Sequence, residues 1–268
     1  MFCCIKKNNI KKNNFDLNLE ETIISKYYDN IIEDYKFNDK NLYVCILDNK
    51  KIFIKESFYN NNSLNELFFL RKLNHKHIVE YINNFIDNDL LLISMEYYYN
   101  DLYNYITINK NINLNYNVII IIYNQLKEVI LYLHNINICH GDIKLENIMI
   151  DNDKNIKLID FEYTREYNDN KTNEKSGTFH YKSPEKMLED NFNPFKAELW
   201  SLGICIYLLS EYKYPYFGNL KFLKTNTSNK KIIKTEFDKK LEFNSTSEKI
   251  KIIIINLLNQ IVEKRILL

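Results

Sequence analysis

Residues 140–147 read His-Gly-Asp-Ile-Lys-Leu-Glu-Asn, and no other stretch constrains the chain as tightly. The octet sets a carboxylate (Asp142), an ammonium (Lys144) and a carboxamide (Asn147) at offsets of two and five within one short segment. Transfer of a phosphoryl group asks little covalent chemistry of a protein. It asks for a carboxylate to orient an attacking hydroxyl, a cation near the moving group and an oxygen ligand for a divalent metal. A single loop holding all three fixes their relative positions, which is where much of the rate advantage of such a site arises. Asp and Asn are each ordinary loop residues. The signal lies in the combination, which runs directly into the apolar triplet Ile148-Met149-Ile150.

At 268 residues and 32.4 kDa the chain can bury a large core, as one two-lobed unit or two small domains. Its 36 basic and 35 acidic residues nearly cancel, so the total charge carries no footprint for nucleic acid or an anionic membrane. The five cysteines are odd in number and form no Cys-x-x-Cys pair, which points to a reducing intracellular compartment, most simply the cytoplasm. No apolar run approaches the length of a membrane span. The first fourteen residues lack the apolar core of a signal peptide, and Phe2 excludes N-myristoylation, while Cys3 or Cys4 remain open to palmitoylation. Asparagine is abundant (41 residues), and its tracts read as loop filler. Glycine is scarce, and none precedes Gly141.

Hydrophobic periodicity divides the chain. Residues 1–19 read as an Asn/Lys-rich tail. Tyr43 to Lys55 reads as a hairpin around Asp48-Asn49-Lys50-Lys51, and Ser63 to Leu73 carries a helical apolar stripe. Val79 to Ile86 and Leu90 to Met95 read as strands about the turn Asp87-Asn88-Asp89. Beyond Tyr98 the pattern becomes helical, with long apolar helices over Leu114–His134, Leu199–Leu209 and Ile250–Leu258. The expectation is an α+β fold, a small sheet with one helix followed by a helical body.

The octet resembles the catalytic loop of eukaryotic protein kinases, His-Arg-Asp-x-Lys-x-x-Asn, with Gly141 in place of the arginine. The element order is also that family's, over roughly residues 25–268. The resemblance therefore implies a two-lobed domain over 20–268, with an N-lobe at 20–97 and a C-lobe at 98–268. Phe53-Ile54-Lys55 resembles Val-Ala-Ile-Lys, whose lysine holds the nucleotide's α- and β-phosphates. Glu66 then matches the glutamate that pairs with this lysine, although Ser63-x-x-Glu66 also reads as a capping box. Met95-Glu96-Tyr97-Tyr98 is similar to the hinge that meets adenine, with Met95 as gatekeeper and Glu96 and Tyr98 offering backbone groups. Asp101 would reach a ribose hydroxyl. Asp160-Phe161-Glu162 resembles Asp-Phe-Gly, whose aspartate chelates magnesium.

Gly177-Thr178-Phe179-His180-Tyr181-Lys182-Ser183-Pro184-Glu185 resembles Gly-Thr-x-x-Tyr-x-Ala-Pro-Glu. This implies that Thr178 bridges Asp142 and Lys144, and that Glu185 pairs with Arg265. Glu198-Leu199-Trp200-Ser201-Leu202-Gly203 resembles Asp-x-Trp-Ser-x-Gly, with Glu198 bracing the catalytic loop. Lys144 with Thr178 resembles the Ser/Thr class. Implied, then, is a Ser/Thr protein kinase using ATP and Mg2+, with Asp142 and Lys144 catalytic and Asn147 and Asp160 on the metal. Its partners would be protein substrates, and nothing in the sequence sets an oligomeric state.

Four departures from the family's pattern bear on activity, the third of them, at Gly141, implying regulation without loop phosphorylation more than inactivity. The stretch corresponding to the family's Gly-x-Gly-x-x-Gly lid, Asp34 to Val44, holds no glycine; Phe53 replaces a small residue against the adenine; Gly141 removes an arginine; and Glu162 removes a flexible glycine. A pseudokinase serving as a binding or scaffold module is the alternative. A small-molecule kinase of similar fold is disfavoured by the Gly177–Glu185 segment.

Overall fold

A computed structural model describes residues 23–37, 40–108, 114–217, 229–244 and 246–268. The tail at 1–19, with Cys3 and Cys4, lies outside them. The N-terminal lobe is a five-stranded antiparallel sheet built from β1 (Ile31–Phe37), β2 (Lys40–Leu47), β3 (Lys50–Phe58), β4 (Tyr81–Asp87) and β5 (Leu90–Glu96). Their spatial order is β1-β2-β3-β5-β4, with helix α1 (Asn61–Lys72) connecting β3 to β4.

The β2–β3 turn is tighter than the sequence suggests. Leu47 pairs with Lys50, so only Asp48 and Asn49 turn, at φ of 49° and 62°, and Lys50-Lys51 already belong to β3. Two consecutive left-handed residues suit a two-residue hairpin, and short Asx side chains tolerate that conformation. Val79 was expected in β4 but leaves the sheet. Its N–H donates to the Leu158 carbonyl at 3.1 Å, while the Leu158 N–H donates to the His77 carbonyl at 2.8 Å. The lobes are thus sewn together by backbone where the periodicity suggested a continuous strand. Strand β1 carries no clear apolar alternation, and the sequence reading did not include it.

Central strand β3 is buried on both faces from Ile52 to Ser57. One face joins the main core with Leu42, Phe53 and Leu70. The other meets a second cluster with Ile24, Tyr28, Cys45 and Leu92, where Tyr27 stacks on Phe85 at 4.3 Å. A turn at Ile23–Lys26 supplies that cover.

The second lobe contains β6 (Asn100–Asp101), α2 (Leu102–Ile108), α3 (Tyr116–Asn135), β7 (Ile138–Cys139), β8 (Ile148–Ile150), β9 (Ile156–Leu158) and β10 (Arg165–Glu166), then α4 (Pro184–Leu188), α5 (Pro194–Glu211), α6 (Lys230–Phe237) and α7 (Glu248–Leu257). No helix among the described residues is long and apolar enough to cross a membrane. Helix α5 begins five residues before the expected Leu199, because Asn193 caps it and Pro194 fits its first turn.

Asparagine is more than loop filler. Asn60, Asn115, Asn193 and Asn229 accept hydrogen bonds from the first N–H groups of α1, α3, α5 and α6. Asn30, Asn49, Asn88 and Asn137 occupy positive φ, where a chain richer in glycine would place glycine.

Arg265 is fully buried and anchors the lower lobe. Its guanidinium meets both carboxylate oxygens of Glu185, at 2.5 and 2.8 Å, and lies 4.8 Å from the centre of the Trp200 ring. Removing one partner of such a pair strands a buried charge, at about 3–5 kcal/mol. Arg265→Met should therefore lower the melting temperature by about 6 °C or more in a thermal unfolding scan; an unchanged melting temperature would remove the pair from the account of stability.

Candidate active site

Strands β7 and β8 pin the two ends of the 140–147 loop. His140 is buried, its Nε2 2.9 Å from the Ile159 carbonyl and its ring 4.9 Å from Phe161. The Gly141 N–H donates to Glu198 Oε1 at 2.9 Å, and Glu198 Oε2 lies 2.7 Å from His134 Nε2. Burial pushes the Glu198 carboxyl up, but the hydrogen bond and charge of His134 outweigh it and hold the carboxyl below its ordinary range. Helix α5 thereby braces the loop from below.

Asp142 accepts on both oxygens. Lys144 Nζ donates to Oδ2 at 2.6 Å and to Thr178 Oγ1 at 2.9 Å. The Thr178 N–H donates to Oδ1 at 2.7 Å. Burial works against the Lys144 charge, yet Asp142 keeps its pKa above the usual value. Asn147 donates from Nδ2 to the Asp142 carbonyl at 3.0 Å. Its Oδ1 is buried and accepts no hydrogen bond among the described residues. An orphaned, buried amide oxygen on a side chain that touches Asp142 fits a hard-cation ligand.

Across the cleft Lys55 is the hub. Its Nζ lies 2.6 Å from Glu66 Oε2, 3.1 Å from Asp160 Oδ1 and 2.9 Å from Glu162 Oε1. Burial alone would lower its pKa; the Asp160, Glu66 and Glu162 carboxylates raise it well above the usual lysine value. Asp160 sits in a left-handed conformation (φ 68°). Burial opposes its ionisation, and the Lys55 and Lys40 ammoniums overcome that and hold its carboxyl down. Glu66 is pushed up to about 7, by burial first and then by the neighbouring Asp160 and Glu162 charges, against the pull of Lys55.

The capping-box reading of Glu66 is set aside by geometry. The N-cap of α1 is Asn60, whose side chain accepts from Ser63 while Ser63 Oγ accepts from the Asn60 N–H. That frees Glu66 to point inward. Asp101 is fully buried, and its Oδ1 accepts from the Asn104 N–H at 2.8 Å, which caps α2.

Met95 lines the cleft with Leu42, Phe53, Lys55, Glu66, Ile159 and Asp160, so the Phe53 ring is one of its walls. The Glu96 carboxylate turns away from the pocket to Lys157 (2.8 Å) and the Glu80 N–H (2.8 Å). Tyr98 is half-buried beside it, its phenol pushed up by burial and by Glu96.

Two residues escaped the sequence reading. The Asn65 amide lies 2.9–3.1 Å from the carbonyls of Phe161, Glu162 and Thr164, tying α1 to the segment after β9. Lys40 forms an ion pair with Glu162 across the cleft. Neither stands within a recognisable motif, so only the folded chain could reveal them.

The protein kinase domain family matches residues 33–267, and the chain belongs to that family. Among curated relatives, it is 32% identical over 156 residues to the serine/threonine-protein kinase pakA of Dictyostelium discoideum, covering 57% of this chain and 13% of that protein. It is 30% identical over 153 residues to serine/threonine-protein kinase kin-29 of Caenorhabditis elegans, covering 56% and 18%. It is 31% identical over 156 residues to human NUAK family SNF1-like kinase 2, covering 58% and 24%. The matched stretch spans a quarter or less of the length of each of these relatives.

Gly141 lies in the left-handed region, where a side chain is strained. Its φ is +85°, and a Cβ there would meet the Tyr163 carbonyl oxygen at 2.3 Å. Gly141→Ala should cost about 1–3 kcal/mol, read as a lower denaturation midpoint. A wild-type midpoint would show that the loop relaxes freely.

Proposed function

We propose that this chain is a serine/threonine protein kinase that transfers the γ-phosphate of ATP to a hydroxyl of protein substrates. The observation that carries the reading is the arrangement around Asp142, whose carboxylate is held by Lys144 and Thr178 while Asn147 keeps an unpartnered oxygen beside it. Asp142 orients the incoming hydroxyl and takes its proton. Lys144, already paired with Asp142, steadies the moving phosphoryl group. Asn147 and Asp160 would hold Mg2+, which when bound neutralises the charge developing on the phosphates. Lys55, fixed by Glu66, holds the remaining phosphates, with Met95 at the back of the adenine pocket and the Glu96–Tyr98 backbone along its edge. The buried free cysteines Cys45, Cys139 and Cys205 support an intracellular setting.

A second reading, a pseudokinase that binds partners without turnover, is favoured by Phe53 in the cleft wall. The intact polar set opposes it. A missing glycine lid costs about 1–3 kcal/mol of binding, whereas losing the base or a metal ligand costs several times more.

Transfer of radiolabelled γ-phosphate from ATP with magnesium to a generic basic protein separates the readings. Transfer is expected in the wild type and should fall at least about a thousandfold in Asp142→Asn, with nucleotide binding nearly unchanged. Absence of transfer in folded wild type would favour the pseudokinase; equal loss of binding and transfer in the variant would make the loop structural.

A further inference from the structure

Lys40 opens β2, within the glycine-free stretch 34–44, and its side chain reaches into the cleft to Glu162 Oε1. Lys55 Nζ lies 2.9 Å from that same oxygen, so two ammoniums share one acceptor. Lys40 is only 19% exposed there and ranks next to Lys55 among the charges acting on Asp160. Lys40 and Lys55 face Glu66, Asp160 and Glu162.

A Gly-rich lid binds phosphate through backbone N–H groups that lie close because no Cβ intervenes. Residues 34–44 carry a side chain at every position, so the stretch lacks the glycines that such an approach uses. A lysine needs no such approach. Its four-carbon stem carries a point charge past its own Cβ, and a point charge serves phosphate oxygens well. Glu162, in turn, places a negative charge where a glycine would have placed none. Lys40 offsets it, so together the two add no net charge to a site that must accept polyphosphate.

We propose that Lys40 is a phosphate-binding residue of the nucleotide site, replacing with one side chain the backbone contacts that a Gly-rich lid would make. Glu162 is its resting counterion: it holds the ammonium inside the cleft and releases it to the phosphate oxygens of ATP. This inference rests on the reading of the chain as an ATP-using kinase.

The test is titration calorimetry of MgATP and of adenosine, which has no phosphate, into folded wild type, Lys40→Met and Lys40→Arg. Lys40→Met should weaken MgATP about tenfold or more and leave adenosine unchanged, while Lys40→Arg recovers most of the loss. A lid clasp without phosphate contact would change both ligands alike, and that result would overturn the role. So would unaltered MgATP affinity in Lys40→Met beside a wild type that binds. A folded wild type that binds adenosine and MgATP equally would overturn the Lys40 role while leaving a nucleoside pocket. One that binds neither would overturn the kinase reading and this inference with it.

Discussion

The buried ammonium of Lys55 is the interaction on which the rest of the site depends. A charge this deep is tolerated only because carboxylates surround it, and those carboxylates come from different parts of the chain. Glu66 comes from α1, and Asp160 and Glu162 from the segment that follows β9. Pairing all three with one side chain on β3 therefore docks the helix, the sheet and the lower lobe to each other. Asn65 adds a neutral strap by reaching the carbonyls of Phe161, Glu162 and Thr164 from the same helix. Position of α1 and charge state of the cleft are consequently one variable.

On the opposite wall the same logic is repeated with a different centre. Asp142 gathers Lys144 and Thr178, and Glu198 gathers Gly141 and His134. The 140–147 loop is thus held from both sides by side chains whose partners are already specified. The glutamate at 162 changes the pairing most. It draws in Lys40 from β2, so that three carboxylates face two ammoniums and the added pair leaves the net charge of the cluster unchanged. Within that cluster burial and the neighbouring carboxylates push the Glu66 carboxyl up to about 7, against the pull of Lys55.

Much of this was legible before folding. The element order, the Thr178 bridge to Asp142 and Lys144, the Glu185–Arg265 pair and the Glu198 brace follow from residue types at motif spacing. What was not legible has physical causes. At Asp101 sequence position does not say which way a side chain faces, and its Oδ1 caps α2. Glu66 was ambiguous because Ser63 can serve either as a cap or as a capping partner, and Asn60 decided the matter. Asparagine, which the sequence offered only as loop filler, takes left-handed positions at Asn30, Asn49, Asn88 and Asn137. Lys40 was invisible because its partner lies 122 residues away and belongs to no shared motif.

The most direct measurement of the central claim, that the Lys55 cluster is a magnesium–phosphate site, is ATP binding by calorimetry with magnesium and with chelator, in wild type and in Asp160→Asn. The account predicts binding that magnesium strengthens about tenfold or more in wild type, and a loss of that magnesium dependence in the variant. Binding equally strong with chelator, or a magnesium effect that survives Asp160→Asn, would contradict it.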